Sequence, residues 1–494
     1  MTSDLFTEYE RGGFFDEVFD AQGEIRSHYQ ALLERLRALA PAELLHRAGV
    51  RDTILRNLGI TFAVYGEAQG IERTWPLDLI PRIIPADEWH HVERGLVQRV
   101  RALNCFLEDL YLGERAALRE GVIPAWLVQS SGGFCREAFG IPVPKGARCL
   151  VAGIDVVRDA HGTYRVLEDN LRTPSGVSYV LENRATLTRV LPLAFAHRVR
   201  PVNHYGASLL SALRNLAPPS ASDPPRIVVL TPGIHNSAYF EHAFLARQMG
   251  IELVEGRDLV VDDHVVFMRT TRGLSRVDVI YRRVDDEFLD PAVFRSDSLL
   301  GVPGLLSAAR AGNVSLANAI GNGVADDKAV YAYVPGLVRF YLGEEPILPN
   351  VDTYLLWDRD QRAAALSRLH ELVVKPVDAS GGYGIVIGPK ATEEELARVR
   401  KAIEAKPRSF IAQEVVALSR HPTLIDDAPR GTGRIEARHI DLRPFVLTGE
   451  KIEVIPGGLT RVALRKDSLV VNSSQGGGSK DTWVLAAGEN GASR

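Results

Sequence analysis

Two short runs between residues 149 and 170 constrain this chain more than any other feature: CLVAGIDVV and TYRVLEDN, separated by the turn-prone Asp159, Ala160, His161 and Gly162. Segments rich in β-branched residues on either side of such a turn form a hairpin. Alternation puts Glu168 and Asn170 on one face of their strand, and Asp155 on a shared face with Gly153 and Val157 of the other. With a two-residue turn at His161 and Gly162, Asp155 sits opposite Glu168. Directly opposed carboxylates, with Cβ atoms about 5 Å apart, repel unless a cation lies between them. Two acidic oxygen donors plus the Asn170 carbonyl suit a hard ion such as Mg²⁺, which binds through a few carboxylates and phosphate oxygens. A solvated hairpin face without metal would carry the same residues.

A second constellation is VVKPVDASGGYG. Lys375 ends a buried strand, and Ser380, Gly381, Gly382, Tyr383 and Gly384 lead into the strand GIVI. Glycines free the backbone to turn N–H groups toward phosphate oxygens, and a lysine beside them adds a point charge. The lysine precedes the loop, so this is not the Walker nucleotide motif, and a plain β-turn fits the same letters. About thirty residues on, FIAQEVV places Gln413 and Glu414 in an otherwise apolar strand, where polar groups need partners. In HIDLRPFVL the residues sharing a face are His439, Asp441 and Arg443, followed by Arg461 and Arg465. Together these could clamp anions.

The 494 residues exceed one ordinary core, so roughly two to four packed units are expected. Hydrophobic residues at 46% and charged residues at 24% exclude a disordered or fibrous chain. With 58 Lys and Arg against 62 Asp and Glu, the net charge of −4 provides no global field to gather nucleic acid or anionic membrane. Cys105, Cys135 and Cys149 lack metal or redox spacing and read as reduced packing residues. The N-terminus has neither a basic start nor an apolar core, and no apolar run approaches membrane-spanning length, so a cytoplasmic protein is expected.

Residues 1–148 read as a helix-rich region, with Trp89, Val92, Leu96, Val100, Leu103, Leu107 and Leu110 forming one buried helical stripe. The hairpin segment covers 149–216. APPSASDPP, from Ala217 to Pro225, is a linker, and 226–320 reads as a small parallel sheet built from RIVVLTPG, a helix over 237–249, IELVEG and VDVIYRRV. Residues 321–494 read as an α+β unit, with Thr392 and Glu395 at capping-box spacing ahead of a helix that runs to Ala405. The polar stretch 421–438 reads as a surface loop.

These residues resemble the ATP-grasp carboxylate–amine ligases. The likeness is to the circularly permuted branch that includes eukaryotic-type glutathione synthetases and glutathionylspermidine synthetase-like proteins, because LEDN stands before VVKP. The resemblance covers 149–485 and implies an α/β and α+β chain: a permuted ATP-grasp fold with a helical N-terminal region and a Rossmann-like substrate domain. It implies Asp155, Glu168 and Asn170 as magnesium ligands, and Lys328 and Lys375 as the lysines on ATP phosphates. It further implies 380–384 as the loop over the triphosphate, and Gln413, Glu414 and Val416 as the hinge that receives adenine and ribose. Arg443 and Arg461 resemble the catalytic cations. QGGGSKD, with Gly476, Gly477, Gly478 and Lys480, resembles a lid over substrate. Arg282 and Arg283 are candidates for a substrate carboxylate, with structural pairing as the alternative, and His235, Asn236, Ser175 and Ser178 for the rest of the substrate cleft.

The resemblance implies an ADP-forming ligase that uses ATP and Mg²⁺ to join a small-molecule or peptide carboxylate to an amine through an acyl phosphate. The alternatives are an ATP-dependent phosphotransferase and a nucleotide-binding regulatory protein that has lost turnover.

Overall fold

The computed structural model describes residues 6, 9–63, 72–191, 198–379, 382–427, 432–464, 468, 471 and 477–488. Its centre is a nine-stranded sheet assembled from distant parts of the chain. Along the sheet run Ile452–Val454, Phe445–Thr448, Val151–Arg158, Thr432–Arg443, Leu459–Val462, Gly478–Val484 and Leu77–Ile84, with Tyr164–Asn170 and Arg420–Asp427 attached to its middle strands. Gly478–Val484 and Leu77–Ile84 run parallel, joining the last described strand to one from the first hundred residues.

The anticipated hairpin forms, and Asp155 faces Glu168 in its register. The turn, however, is longer than two residues. Val157 pairs with Arg165 and Arg158 with Tyr164, leaving a loop over 159–163, and an irregularity between Asp155 and Val156 absorbs Leu167 to restore the Asp155–Glu168 pairing. Asp159 organises the loop by accepting from the backbone N–H groups of His161 and Thr163. Beneath the hairpin lies the helix Ala86–Tyr111, whose Trp89, Val92, Leu96, Val100, Leu103, Leu107 and Leu110 are buried as their spacing predicts. Its Arg99 makes a two-pronged 2.6 Å contact with Asp169, on the strand face opposite Glu168 and Asn170. That pair fixes the hairpin against the helix.

A four-stranded antiparallel sheet forms a separate lobe, ordered Thr353–Leu355, Phe410–Glu414, Leu372–Pro376 and Val386–Ile387. Helices Arg359–Ser367 and Glu393–Ala405 close it over a core including Ala365, Leu372, Val374, Val399, Ile403 and Ala412. Thr392 caps the second helix through the expected box with Glu395. The parallel sheet of the middle region is ordered Ser315–Ala317, Val279–Arg282, Ile227–Leu230 and Glu252–Val254. An unanticipated antiparallel unit, Leu259–Asp262, Val265–Thr270 and Gly273–Arg276, is inserted into that region.

One expectation needs correction. Residues 421–427 and 432–438 are not a surface loop: Arg420–Asp427 and Thr432–Arg443 pair from His421–Arg438 to Asp427–Thr432, and His421 is fully buried. The helix-rich first region also supplies Leu77–Ile84, a wholly buried sheet strand. Among the described residues no helix is long and apolar enough to cross a membrane.

Candidate active site

The hairpin and the four-stranded lobe face each other across a cleft. The sheet side contributes Asp155, Glu168, Asp441 and Arg461, and the lobe contributes Lys375, Gly382, Gln413, Glu414 and Val416. Leu167, Val373, Ile385, Ile387, Leu418 and Val471 give it apolar walls. Such a cleft suits a ligand with a flat apolar part and a charged end.

At the charged end Asp155 is buried and held by two guanidinium groups. Arg443 donates to both of its oxygens, at 2.5 and 2.8 Å, and Arg461 donates at 2.7 Å. Burial alone would raise the Asp155 carboxyl, but Arg443 and Arg461 outweigh it and hold the group well below the usual carboxylate range. Arg461 also bridges to Asp441, whose carboxyl burial raises despite that contact. Asp441 belongs to the alternating face of HIDLRP, where the sequence marks it beside Arg443 without assigning it a role. The repulsion between the opposed acids is therefore relieved on the Asp155 side by Arg443 and Arg461.

Glu168 is held more loosely, with Lys328 Nζ at 3.7 Å and Arg443 at 4.0 Å. Lys328 also donates to the Ala379 carbonyl at 2.6 Å, tying the start of its helix to the glycine-rich segment. Lys375 is buried opposite. Burial lowers its ammonium to about 8; Glu168 works against that shift and the neighbouring Lys328 works with it. Two lysines brought this close make a site that favours a polyanion.

The residues present fit a hard divalent cation in part. Asn170 Nδ2 is buried without a hydrogen-bond partner, and turning the amide would present its oxygen instead. Among the described residues no three acidic, histidine or cysteine side chains converge into a complete metal cage. A cation here needs phosphate oxygens as its remaining ligands, as magnesium commonly does.

At the far end of the cleft Gln413 donates to Thr353 Oγ1 and leaves its buried Oε1 unpaired, while Glu414 is shared by Tyr354 and Arg368. Gly382 and Gly384 have positive φ values of 78° and 73°, and a Cβ on Gly384 would lie 2.9 Å from Pro376. The turn thus requires glycine. Tyr383 between them is about half exposed. Ser380 and Gly381 lie outside the described residues, as does Gly476.

The expected substrate residues are placed differently. Arg282 is fully buried, donating to the carbonyls of Asn318, Val284 and Ala319 and pairing with Asp286. Arg283 donates to Pro174 O, Tyr281, Ser175 and Glu241, and Ser178 donates to the same Glu241. Structural pairing therefore consumes Arg282, Arg283, Ser175 and Ser178. His235 is exposed, and Asn236 accepts from the Ala238 N–H within its own loop. The expected lid is also corrected. Gly477 and Gly478 are buried, and Gly478–Val484 is a sheet strand. Lys480 is sealed beneath it, donating to Asp78 and to the carbonyls of Ile80 and Pro422.

Residues 81–463 match the model of the family described as circularly permuted ATP-grasp type 2. The chain belongs to that family. An uncharacterized protein of Mycobacterium tuberculosis is 56% identical over 97% of this chain and 85% of its own length. One from Synechocystis is 54% identical over 97% and 98% respectively. A Frankia alni protein named provisionally as glutamate–cysteine ligase 2-3 is 47% identical over 97% of this chain, which spans only 54% of that protein. Among solved structures, the apo form of a glutathione synthetase-like effector from Globodera pallida superposes with a TM-score of 0.56 at 14% identity, covering 90% of this chain and 98% of the effector. That likeness bears on the fold alone. It accords with the permuted ATP-grasp architecture of this chain.

Proposed function

We propose that this ATP-grasp chain is an ADP-forming ligase that joins a carboxylate to an amine. The observation that carries the reading is the approach of Lys328 and Lys375, on one side of the cleft, to the hairpin acids Asp155 and Glu168 on the other. A phosphate chain needs such a site, and residues far apart in the sequence meet to make it.

In the proposed reaction the substrate carboxylate oxygen attacks the γ-phosphorus of ATP. The bond to the bridging oxygen breaks, and ADP leaves with its electron pair. The amine then attacks the acyl carbon, phosphate departs with the carbon–oxygen bonding pair, and the amine loses a proton to give the amide. Lys375 and Lys328 hold the phosphate charge. Arg461 and Arg443, oriented by Asp155 and Asp441, screen the transferring group. Glu168 and Asn170 would hold magnesium, with Asp155 alongside them acting chiefly through the arginines; the ion would neutralise phosphate oxygens. The apolar walls and the hinge at Gln413, Glu414 and Val416 would receive the base and sugar.

The name of the Frankia protein favours an amino acid as the carboxylate, although this chain corresponds to about half of that protein. The test is an ADP-release screen over paired carboxylates and amines, with mass spectrometry of the products. Amide formation that depends on both partners is expected. A phosphorylated product that ignores the amine would make the protein a phosphotransferase, and tight nucleotide binding without turnover would make it regulatory.

A further inference from the structure

The two lysines at the charged end of the cleft belong to different parts of the molecule. Lys375 stands near the end of the lobe strand Leu372–Pro376, and Lys328 opens the short helix Lys328–Tyr331 outside the lobe. Burial lowers the Lys375 ammonium and the charge of Lys328 adds to that shift, so the two repel each other. Like charges stay in register for one ligand only if the backbones that carry them are fixed beforehand.

Arg408 is placed to fix them. It lies in the turn Pro407–Ser409, just before the lobe strand Phe410–Glu414, and its guanidinium reaches out of the lobe. It donates to Asp327 at 2.7 Å, to the Leu127 carbonyl at 3.0 Å and to Ser130 Oγ at 3.1 Å. Asp327 is buried and caps the Lys328 helix, accepting from the Ala329 N–H at 2.8 Å. The backbone closes the same junction, with Lys328 N–H donating to the Val377 carbonyl and Val377 N–H to the Ser409 carbonyl. Within the lobe, Lys375 pairs with Ile411, three residues beyond Arg408. One guanidinium thus joins the strand beside Lys375 to the cap that starts the Lys328 helix. Arg408 and Asp327 stand outside the lining of the cleft, so they act through the lysines and not on a ligand.

We propose that Arg408, through Asp327, is a positioning residue that sets Lys328 against Lys375 so that both grip the phosphates of one nucleotide. A planar guanidinium serves three acceptors at once in a fixed geometry, which an ammonium cannot reproduce. This deepens the ligase reading, on which the role of the two lysines rests.

The test compares magnesium-ADP with adenosine on the full chain, by calorimetry and competition, beside a thermal melt. The wild-type protein is expected to bind ADP more tightly than adenosine. Arg408→Gln is expected to weaken ADP by about tenfold and leave adenosine unchanged, because only the phosphates meet the displaced lysine. Arg408→Lys, which keeps the charge without the fork, is expected to fall between the two. Asp327→Asn keeps a helix-capping side chain and loses the ion pair. It is expected to weaken ADP with the same selectivity, and it carries the test should Arg408→Gln fail to fold. A merely structural pair would lower the melting temperature and leave the ratio of the two affinities at its wild-type value, and that result would overturn the proposal. A wild-type protein that gains nothing from the phosphates would overturn the ligase reading and the positioning role together. Variants that keep the ratio of a phosphate-responsive wild type overturn the positioning role alone.

Discussion

Arg282 and Arg283 on one side, and Arg443 and Arg461 on the other, are all drawn out of water, but into different surroundings. The first two lie in the parallel-sheet region, where backbone carbonyls and Glu241 and Asp286 take up their donors. The second two stand on the central sheet beside a cleft, and their partners, Asp155 and Asp441, line that cleft themselves. An arginine drawn into the protein is thus a candidate for ligand binding only when its counter-charge is also open to a ligand. Otherwise it is a rivet.

The sharpest way to break this contrast is Arg283→Met. It strands Glu241 in the interior and is expected to cost about 3–5 kcal/mol of stability by chemical denaturation, with turnover per folded molecule unchanged. A stable variant with a raised substrate KM would place Arg283 back in the substrate site. Glu168→Gln is the converse. Turnover is expected to fall by about 10²–10³-fold with the thermal midpoint shifting only a few degrees. Magnesium-dependent nucleotide binding that survived this change would remove Glu168 from the metal's ligands.

A smaller effect is expected from pH. Nucleotide phosphate favours the charged form of Lys375, so ADP affinity should be flat on the acid side of its value of about 8 and fall above it, by at most roughly tenfold per pH unit. Lys375→Met should abolish that slope. The same depressed value means the unfolded chain holds the proton longer, so this residue's contribution to stability rises as pH climbs from about 8 toward the ordinary lysine value of 10.5. Smallest of all, Thr392→Ala removes a helix cap on the lobe and should lower stability by about 1 kcal/mol in a melt, with no change in ADP affinity.

The parts of the site legible in the sequence are those where alternation and chemistry agree. Asp155 and Glu168 were placed opposite each other, though by a bulge at Leu167 and a longer loop, two departures that cancel. Lys375 is marked by the glycine-rich segment that follows it, whereas Lys328 is marked only through the family resemblance, since nothing local brings the two together. Leu77–Ile84 escaped because every residue of LDLIPRII is buried, which removes alternation, and Pro81 argues against a strand. The stretch 421–438 reads as a loop because the partners of its polar groups come from distant strands and helices: His421 meets Tyr29, and the Leu424 N–H donates to Asp78. QGGGSKD hid a strand because Lys480 reads as solvent-seeking until Asp78, four hundred positions away, is placed beneath it.

The separation of Asp155 from Arg461, 306 positions, has a cost during synthesis. The ribosome delivers the acidic ribbon first, and at about 5–20 residues per second its guanidinium partners follow only tens of seconds later. Through that interval the nascent chain carries an incomplete sheet with unsatisfied strand edges. The acidic ribbon therefore gains its guanidinium partners, and the sheet its later strands, only near the end of synthesis.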